Sequence, residues 1–230
     1  MHMSTKQTLL LLVVILLLLS QGIYSQIGIS AFYNSNNYAG WNDFFRNDAN
    51  QITNNDRIFS TSVSVEVDYW FRLRDQRIEF YPYLSYHQAS TELQFANIDL
   101  GLRQIGGGVN THIYLLDLIG DCDCPTFSKQ GTFFKKGFFI LAGVGADFST
   151  KAIDGDFRDG NIDLALQGGL GLDIGVTDVI TLTPILRYRY LPSISWHELA
   201  PVFGLDNNNV STSGGQLGIG LRVGIRLDYR

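Results

Sequence analysis

Cys122, Asp123 and Cys124 place the chain's two cysteines one residue apart, a spacing open to three chemistries. They could close a strained local disulfide, remain a dithiol, or offer two thiolate ligands beside Asp121, Asp123 or the inward-facing His112. Two thiolates without a second Cys or His pair fall short of a zinc site. The first reading is therefore a redox-sensitive cross-link, the second a partner-docking segment that includes Lys135 and Lys136, and the last a metal. Ser195, His197 and Glu198 gather a nucleophile, a base and a carboxylate, with His87 as a further base. Groups so close on one strand converge as a triad only if another strand contributes. Asp154-Gly155-Asp156-Phe157-Arg158-Asp159-Gly160-Asn161 has some of the acidic spacing of a calcium loop. Arg158 stands at the fifth position, however, and the glycine comes one residue late, so the segment reads as a flexible acidic loop. No cofactor, no metal and no enzymatic activity are expected.

The elements that must carry these residues have a period of two, because side chains two apart share one face of a strand. Leu217, Ile219, Leu221, Val223, Ile225, Leu227 and Tyr229 alternate with Gly218, Gly220, Arg222, Gly224, Arg226 and Asp228. The same alternation runs over 27–33, 59–71, 78–87, 98–115, 138–148, 162–174 and 180–190. Residues 59–71 and 78–87 form a hairpin around the charged turn 72–77. In 98–115 the apolar phase slips by one residue next to Gly106-Gly107-Gly108, which predicts a β-bulge. Residues 34–56 are Asn-rich and read as irregular.

Ahead of the first strand, Lys6 precedes an apolar run from Leu9 to Leu19 and the more polar 20–25. That is the pattern of a cleaved secretory signal peptide, and the run is shorter than the roughly 20 residues that a membrane-spanning helix requires. The expected cut falls after Ser25, with Gly22 the alternative. Residues 26–230, about 205 in number, then form a single domain. Charged residues are 17% of the chain and the net charge is −5, which argues against a nucleic-acid partner. Abundant Gly and aromatic residues with scarce Pro suit β-structure, and two cysteines are too few for a disulfide scaffold.

Eight antiparallel strands of this length can close on themselves. Either a soluble barrel with an apolar lumen or a membrane barrel with an apolar exterior fits the alternation, and three features separate them. The polar face is Gly, Ser, Asp and Arg, with no lysine, which suits a cramped interior. The apolar face carries more bulk than an eight-stranded lumen could enclose. Tyr69, Phe71, Phe80, Phe138 and Tyr229 gather at one rim, and Tyr33, Phe59, Tyr86, Phe148, Tyr188 and Tyr190 at the other, as two interfacial girdles. Connections are long above (34–57, 150–161, 197–213) and mostly short below. The prediction is an all-β, eight-stranded antiparallel up-and-down transmembrane β-barrel, with every strand edge satisfied by closure.

With these strands, the chain resembles the small eight-stranded outer-membrane barrels of the OmpA/OmpX kind. The signal ending at Ser25-Gln26, the Gly/Asn-rich strands and the aromatic Tyr229 near the end look most like the outer-membrane β-barrel proteins of Bacteroidota. Here Tyr229 is followed by Arg230, where such chains end on the aromatic. The resemblance implies a cell outer-membrane location among lipid and lipopolysaccharide. The outer-membrane lipid A deacylases carry a His-x-Ser-Asn pattern that this chain lacks.

Inside such a barrel the alternation places Glu66, Asp68, Glu79, Asp99, Asp147, Asp163 and Asp173 with Arg103, Arg187, Arg189, Arg222 and Arg226. Unpaired charges in so narrow a lumen are costly, so they should cross-pair, Arg222 and Arg226 with Glu66, Asp68 and Glu79. The expected role is a plugged barrel, a structural or interaction subunit that docks other outer-membrane or periplasmic proteins through 117–136 or through its outer loops. The alternatives are a rim-located lipid-modifying hydrolase and a narrow gated path for small solutes.

Overall fold

The structure is a computed structural model that describes residues 26–48, 57–72, 76–93, 98–117, 137–177, 179–197, 199–202 and 210–226. The signal segment, Cys122, Cys124, Lys135, Lys136 and the Tyr229-Arg230 end lie outside these residues.

Nine strands occur: β1 Gln26–Tyr38, β2 Thr61–Arg72, β3 Ile78–Leu93, β4 Ile98–Ile113, β5 Phe138–Ile153, β6 Asp156–Leu172, β7 Ile174–Gly175, β8 Ile180–Trp196 and β9 Val210–Arg226. Each pairs antiparallel with its neighbour, β9 returns to β1, and β6 pairs with β8. The two-residue β7 continues β6 against β8, so the wall is a closed eight-stranded antiparallel barrel. Gln26 pairs with Arg226 at what we call the lower end.

Alternation sorts the side chains by face. Ile219, Leu84 and Ile162 point outward at 65%, 72% and 80% exposure. Tyr33, Tyr86, Phe148, Tyr188 and Tyr190 are exposed in an upper band, and Phe71 stacks on Phe80 at 5.3 Å in a lower one.

The structure departs from the sequence expectations in four places. The bulge expected at Gly106–Gly108 is absent: β4 keeps one register against β3 from Ile98 to Ile113 and against β5 from Leu100 to Ile113. The strand does not slip; its surroundings change. Leu100 and Leu102 point inward because the upper lumen is apolar, so an apolar residue there no longer marks the outer face. Real register shifts sit instead between Ser149 and Lys151 of β5 against β6, and between Leu191 and Ile194 of β8 against β9.

The loop expected over 150–161 is a tight hairpin. Asp154 and Gly155 both have positive φ, 51° and 81°, as a two-residue turn matched to strand twist requires. Asp154 Oδ1 accepts from the Asp99 N–H at 3.0 Å, and the Asp154 N–H donates to the Asp99 carbonyl at 2.8 Å. This carboxylate fastens the turn.

The segment 34–56, read as irregular, is regular over its described residues 34–48. β1 runs on to Tyr38, a helical turn spans Ala39–Asp43, and a second spans Phe44–Asp48. Together with Ile58 and Phe59 they fold inward over the barrel mouth. Phe59, expected in the upper girdle, has φ 49° and is fully buried; a bulky side chain there is held against its backbone preference by its packing. Finally, Lys151 lies buried inside, although no inward lysine was expected.

Candidate functional site

The candidate site is the lumen, which is filled in layers. At the lower end, Glu79 Oε2 accepts from Trp70 Nε1 at 2.6 Å, Tyr81 OH at 2.7 Å and Tyr114 OH at 2.9 Å. The Tyr114 hydroxyl also bonds Asp173, and Thr183 Oγ1 donates to the second Asp173 oxygen. The Arg77 guanidinium lies over the Tyr114 ring at 4.3 Å, where ring quadrupole and cation attract. His112 is sandwiched between Tyr81 and Phe139 with centroids 3.9 Å away on each side.

The ion pairs lie above. Arg222 grips Asp68 with two bonds, Nε to Oδ2 at 2.9 Å and Nη2 to Oδ1 at 2.7 Å, the forked geometry that a guanidinium and a carboxylate share. Gly28 makes room for it: a Cβ there would lie 2.4 Å from the guanidinium. Arg187 pairs with Glu66 and covers the Phe32 ring at 3.6 Å. Arg189 pairs with Asp147, opposite Gly106, whose added Cβ would collide with the Asp147 carboxylate.

A neutral layer follows. Ser62 Oγ and His87 Nε2 are 2.7 Å apart, Gln216 Nε2 donates to Tyr38 OH at 2.9 Å, and Gln104 Nε2 donates to Ser149 Oγ at 3.0 Å. The mouth is closed by an apolar cluster built around Trp41, Phe45, Phe59, Leu100, Leu102, Leu191, Ile194 and Trp196. Trp41 packs edge-on to Trp196 at 5.5 Å and to Phe59 at 6.1 Å. Its indole N–H donates to the Val210 carbonyl at 3.1 Å.

Of the twelve side chains expected in the lumen, Glu66, Asp68, Glu79, Asp147, Asp163, Arg187, Arg189 and Arg222 are buried. Asp173 and Arg226 are half-buried at the lower end. Asp99 and Arg103 are corrections: both face outward, because β4 does not change phase, and Arg103 covers the Phe157 ring outside the wall at 3.7 Å. The pairings also differ. Arg222 takes Asp68, but Glu66 takes Arg187, and Glu79 takes an indole and two phenols. Strand alternation gives the face of a side chain, not its height across the lumen. Arg77, Lys151, Tyr81 and Tyr114 were missed because the first two stand beside turns and phenols were not counted as carboxylate partners.

Two remaining chemistries can be placed. Ser195 is half-buried with its carbonyl accepting from Asn161 Nδ2, His197 is exposed, and Trp196 turns inward to the cluster rather than into a girdle; Glu198 lies outside the described residues. Ser62 and His87 do touch, but both are buried and no carboxylate is bonded to either ring nitrogen among the described residues. Also among the described residues, no three His, Cys, Asp or Glu side chains are grouped to hold a metal ion. Between the ion pairs and the lower layer, a cavity of about 10 Å³ is lined by Ser30, Tyr83, Asn110 and His112 among others, enough for about one water molecule.

No protein-family model matches the chain, and no curated protein matches it. Solved structures of similar shape include neisserial surface protein A, 15% identical over 86% of this chain and 96% of that one, with a TM-score of 0.45. The attachment invasion locus protein Ail of Yersinia pestis is 10% identical over 88% of this chain and 98% of that one, at 0.44. The N-terminal β-barrel domain of Pseudomonas aeruginosa OprF is 17% identical over 88% and 97%, at 0.38. These are distant likenesses among barrels, and the closed eight-stranded wall stands on its own strand pairing.

Proposed function

We propose that this chain is a non-enzymatic outer-membrane β-barrel whose lumen is plugged, and that it serves as an anchored interaction subunit presenting its connecting segments on either side of the membrane. The filled lumen carries the reading. Ion pairs, a neutral hydrogen-bonded layer and an apolar mouth follow one another with a water-sized cavity beside the ion pairs, so the described side chains fill the interior as a core. The outer face, with Leu, Ile, Val and Tyr exposed on every wall strand, supports lipid as its solvent.

Replacement of residues 120–135 by a short Gly/Ser turn tests the interaction role in mild-detergent purification from native outer membranes. Defined partners that accompany the intact protein and vanish with the replacement support docking through 117–136. Intact protein that emerges alone refutes docking at that segment.

Two measurements test the plugged membrane barrel. Ile219→Arg places a guanidinium in the middle of the proposed lipid face and is expected to lower stability in bilayers by about 2–4 kcal/mol, read by urea titration in vesicles. A water-facing position would tolerate it within about 0.5 kcal/mol. In planar bilayers the purified protein is expected to give no steady single-channel conductance, since eight strands leave an interior wide enough only for side chains; a stable conducting state would overturn the plugged lumen.

A further inference from the structure

The ladder that closes the wall between β6 and β8 is short. Both strands are 17 residues long, yet they pair only from Leu166 with Tyr190 to Gly171 with Ile185. By contrast, β5 and β6 stay paired up to Ile153 and Asp156, and β8 and β9 up to Trp196 and Val210. Where the β6–β8 ladder stops, β8 carries Pro192, which has no N–H to donate, and an extra residue against β9 between Leu191 and Ile194. Above the stop, Asn161 Nδ2 reaches across to the Ser195 carbonyl at 3.0 Å, a side chain standing where ladder bonds would run.

The two sides of this seam differ from those of an ordinary wall joint. Outside, Leu164 and Ile162 are exposed beside Phe148 and Tyr190, at the depth of the upper aromatic band. Inside, the β8 edge is apolar, with Leu191, Ile194 and Trp196 in the mouth cluster, while the β6 edge turns the buried Asp163 inward. The centre of that mouth is filled by Trp41 and Phe59, which come from the β1–β2 connection and not from the wall, and Phe59 is held at positive φ. Backbone groups at lipid depth are normally all satisfied within the wall, so an interrupted ladder with apolar surface outside and an apolar β8 edge inside marks a place where a chain can pass.

We propose that the barrel mouth is a binding site for a lipid alkyl chain, which enters laterally between β6 and β8 as the side chains of Trp41 and Phe59 withdraw. The inference rests on the lipid-facing reading of the outer wall. Asn161 is the latch of the seam, and Trp41 is the stand-in that occupies the site in its absence.

The test uses the full-length protein in vesicles containing a phospholipid with a photoreactive diazirine in its acyl chain, followed by peptide mapping of the labelled sites. A long-chain phospholipid stays in the bilayer, so it reaches the interior only through the wall. The expected result is labelling of inward Leu102, Leu191 or Ile194, rising about tenfold in Asn161→Ala and about a hundredfold in Trp41→Ala as the open state becomes more populated. Absence of inward label in the wild type and both variants overturns the proposal, as does inward label from a free diazirine fatty acid alone, which would mean entry from the water. Label on outward Ile162 and Leu164 reads the lipid-facing wall separately: if it persists while inward label is missing, the membrane reading stands and the lateral site falls.

Discussion

Asp68→Leu is expected to lower the unfolding free energy by about 3–5 kcal/mol, because it strands the Arg222 guanidinium inside the barrel without its forked partner. Both groups are buried, and both guanidinium bonds end on this carboxylate. Arg222 packs against the Tyr81 ring at 4.9 Å, an attraction too weak to replace a carboxylate. The paired variant Asp68→Leu/Arg222→Met removes both charges together and is expected to recover stability to within about 1 kcal/mol of the parent, since desolvating two ions offsets most of what their attraction returns. Urea titrations of the single and double variants in vesicles, followed by tryptophan fluorescence, read the difference. If the single variant is as stable as the double, Arg222 has a second partner and the layer is more redundant than its hydrogen bonds indicate.

Trp41→Ala is expected to cost about 3–5 kcal/mol, the range for emptying a fully buried large aromatic site, but the loss should fall on the plug and leave the wall intact. Trp41 belongs to a helical turn outside the ladders, and its contacts are to Tyr38, Phe59 and Trp196. A 3 kcal/mol loss corresponds to a rise of more than about a hundredfold in the population of the open plug. Limited proteolysis should therefore cut within the β1–β2 connection at least that much faster while the heat-stable mobility of the folded barrel on gels is kept. Trp41→Phe keeps the ring packing but leaves the Val210 carbonyl without its indole donor, and a smaller cost of about 1–3 kcal/mol is expected. Equal proteolysis of Trp41→Ala and the parent would show that the plug is held by something other than this side chain.

The wall was legible because a closed barrel with an apolar outer face and polar filling inside writes itself as alternation. Leu217 to Ile225 against Gly218 to Gly224 holds in both the sequence and the register. What the alternation could not carry was the change of filling along the barrel axis. Leu100, Leu102 and Leu191 are apolar yet inward, so β4 looked as though it slipped, and Asp99 and Arg103 were assigned to the wrong side. The plug escaped for a different reason: Trp41, Phe44 and Phe45 sit among Asn and Asp in a segment without a long period, and only the Phe59 backbone, turned to positive φ, reverses the face that its strand neighbours predict. Cross-lumen partners were the least legible, since Glu66 and Arg187 are separated by 121 residues and meet only because the sheet closes.

That closure has a consequence for how the protein comes together. Around the wall, neighbours are consecutive in the chain except where β1 meets β9 over Gln26 to Tyr38. Hairpins can form one after another, each closing a loop far shorter than the chain, whereas the joint between first and last strand must bring together residues nearly two hundred apart, the slow kind of contact. Two of the ion pairs, Arg187 with Glu66 and Arg222 with Asp68, join the last strands to the second one. Their charges cannot shed water until that joint is made, and an unjoined sheet cannot keep its inner face dry. Ring closure and charge pairing are thus one event, and the barrel should assemble and come apart as a single cooperative unit.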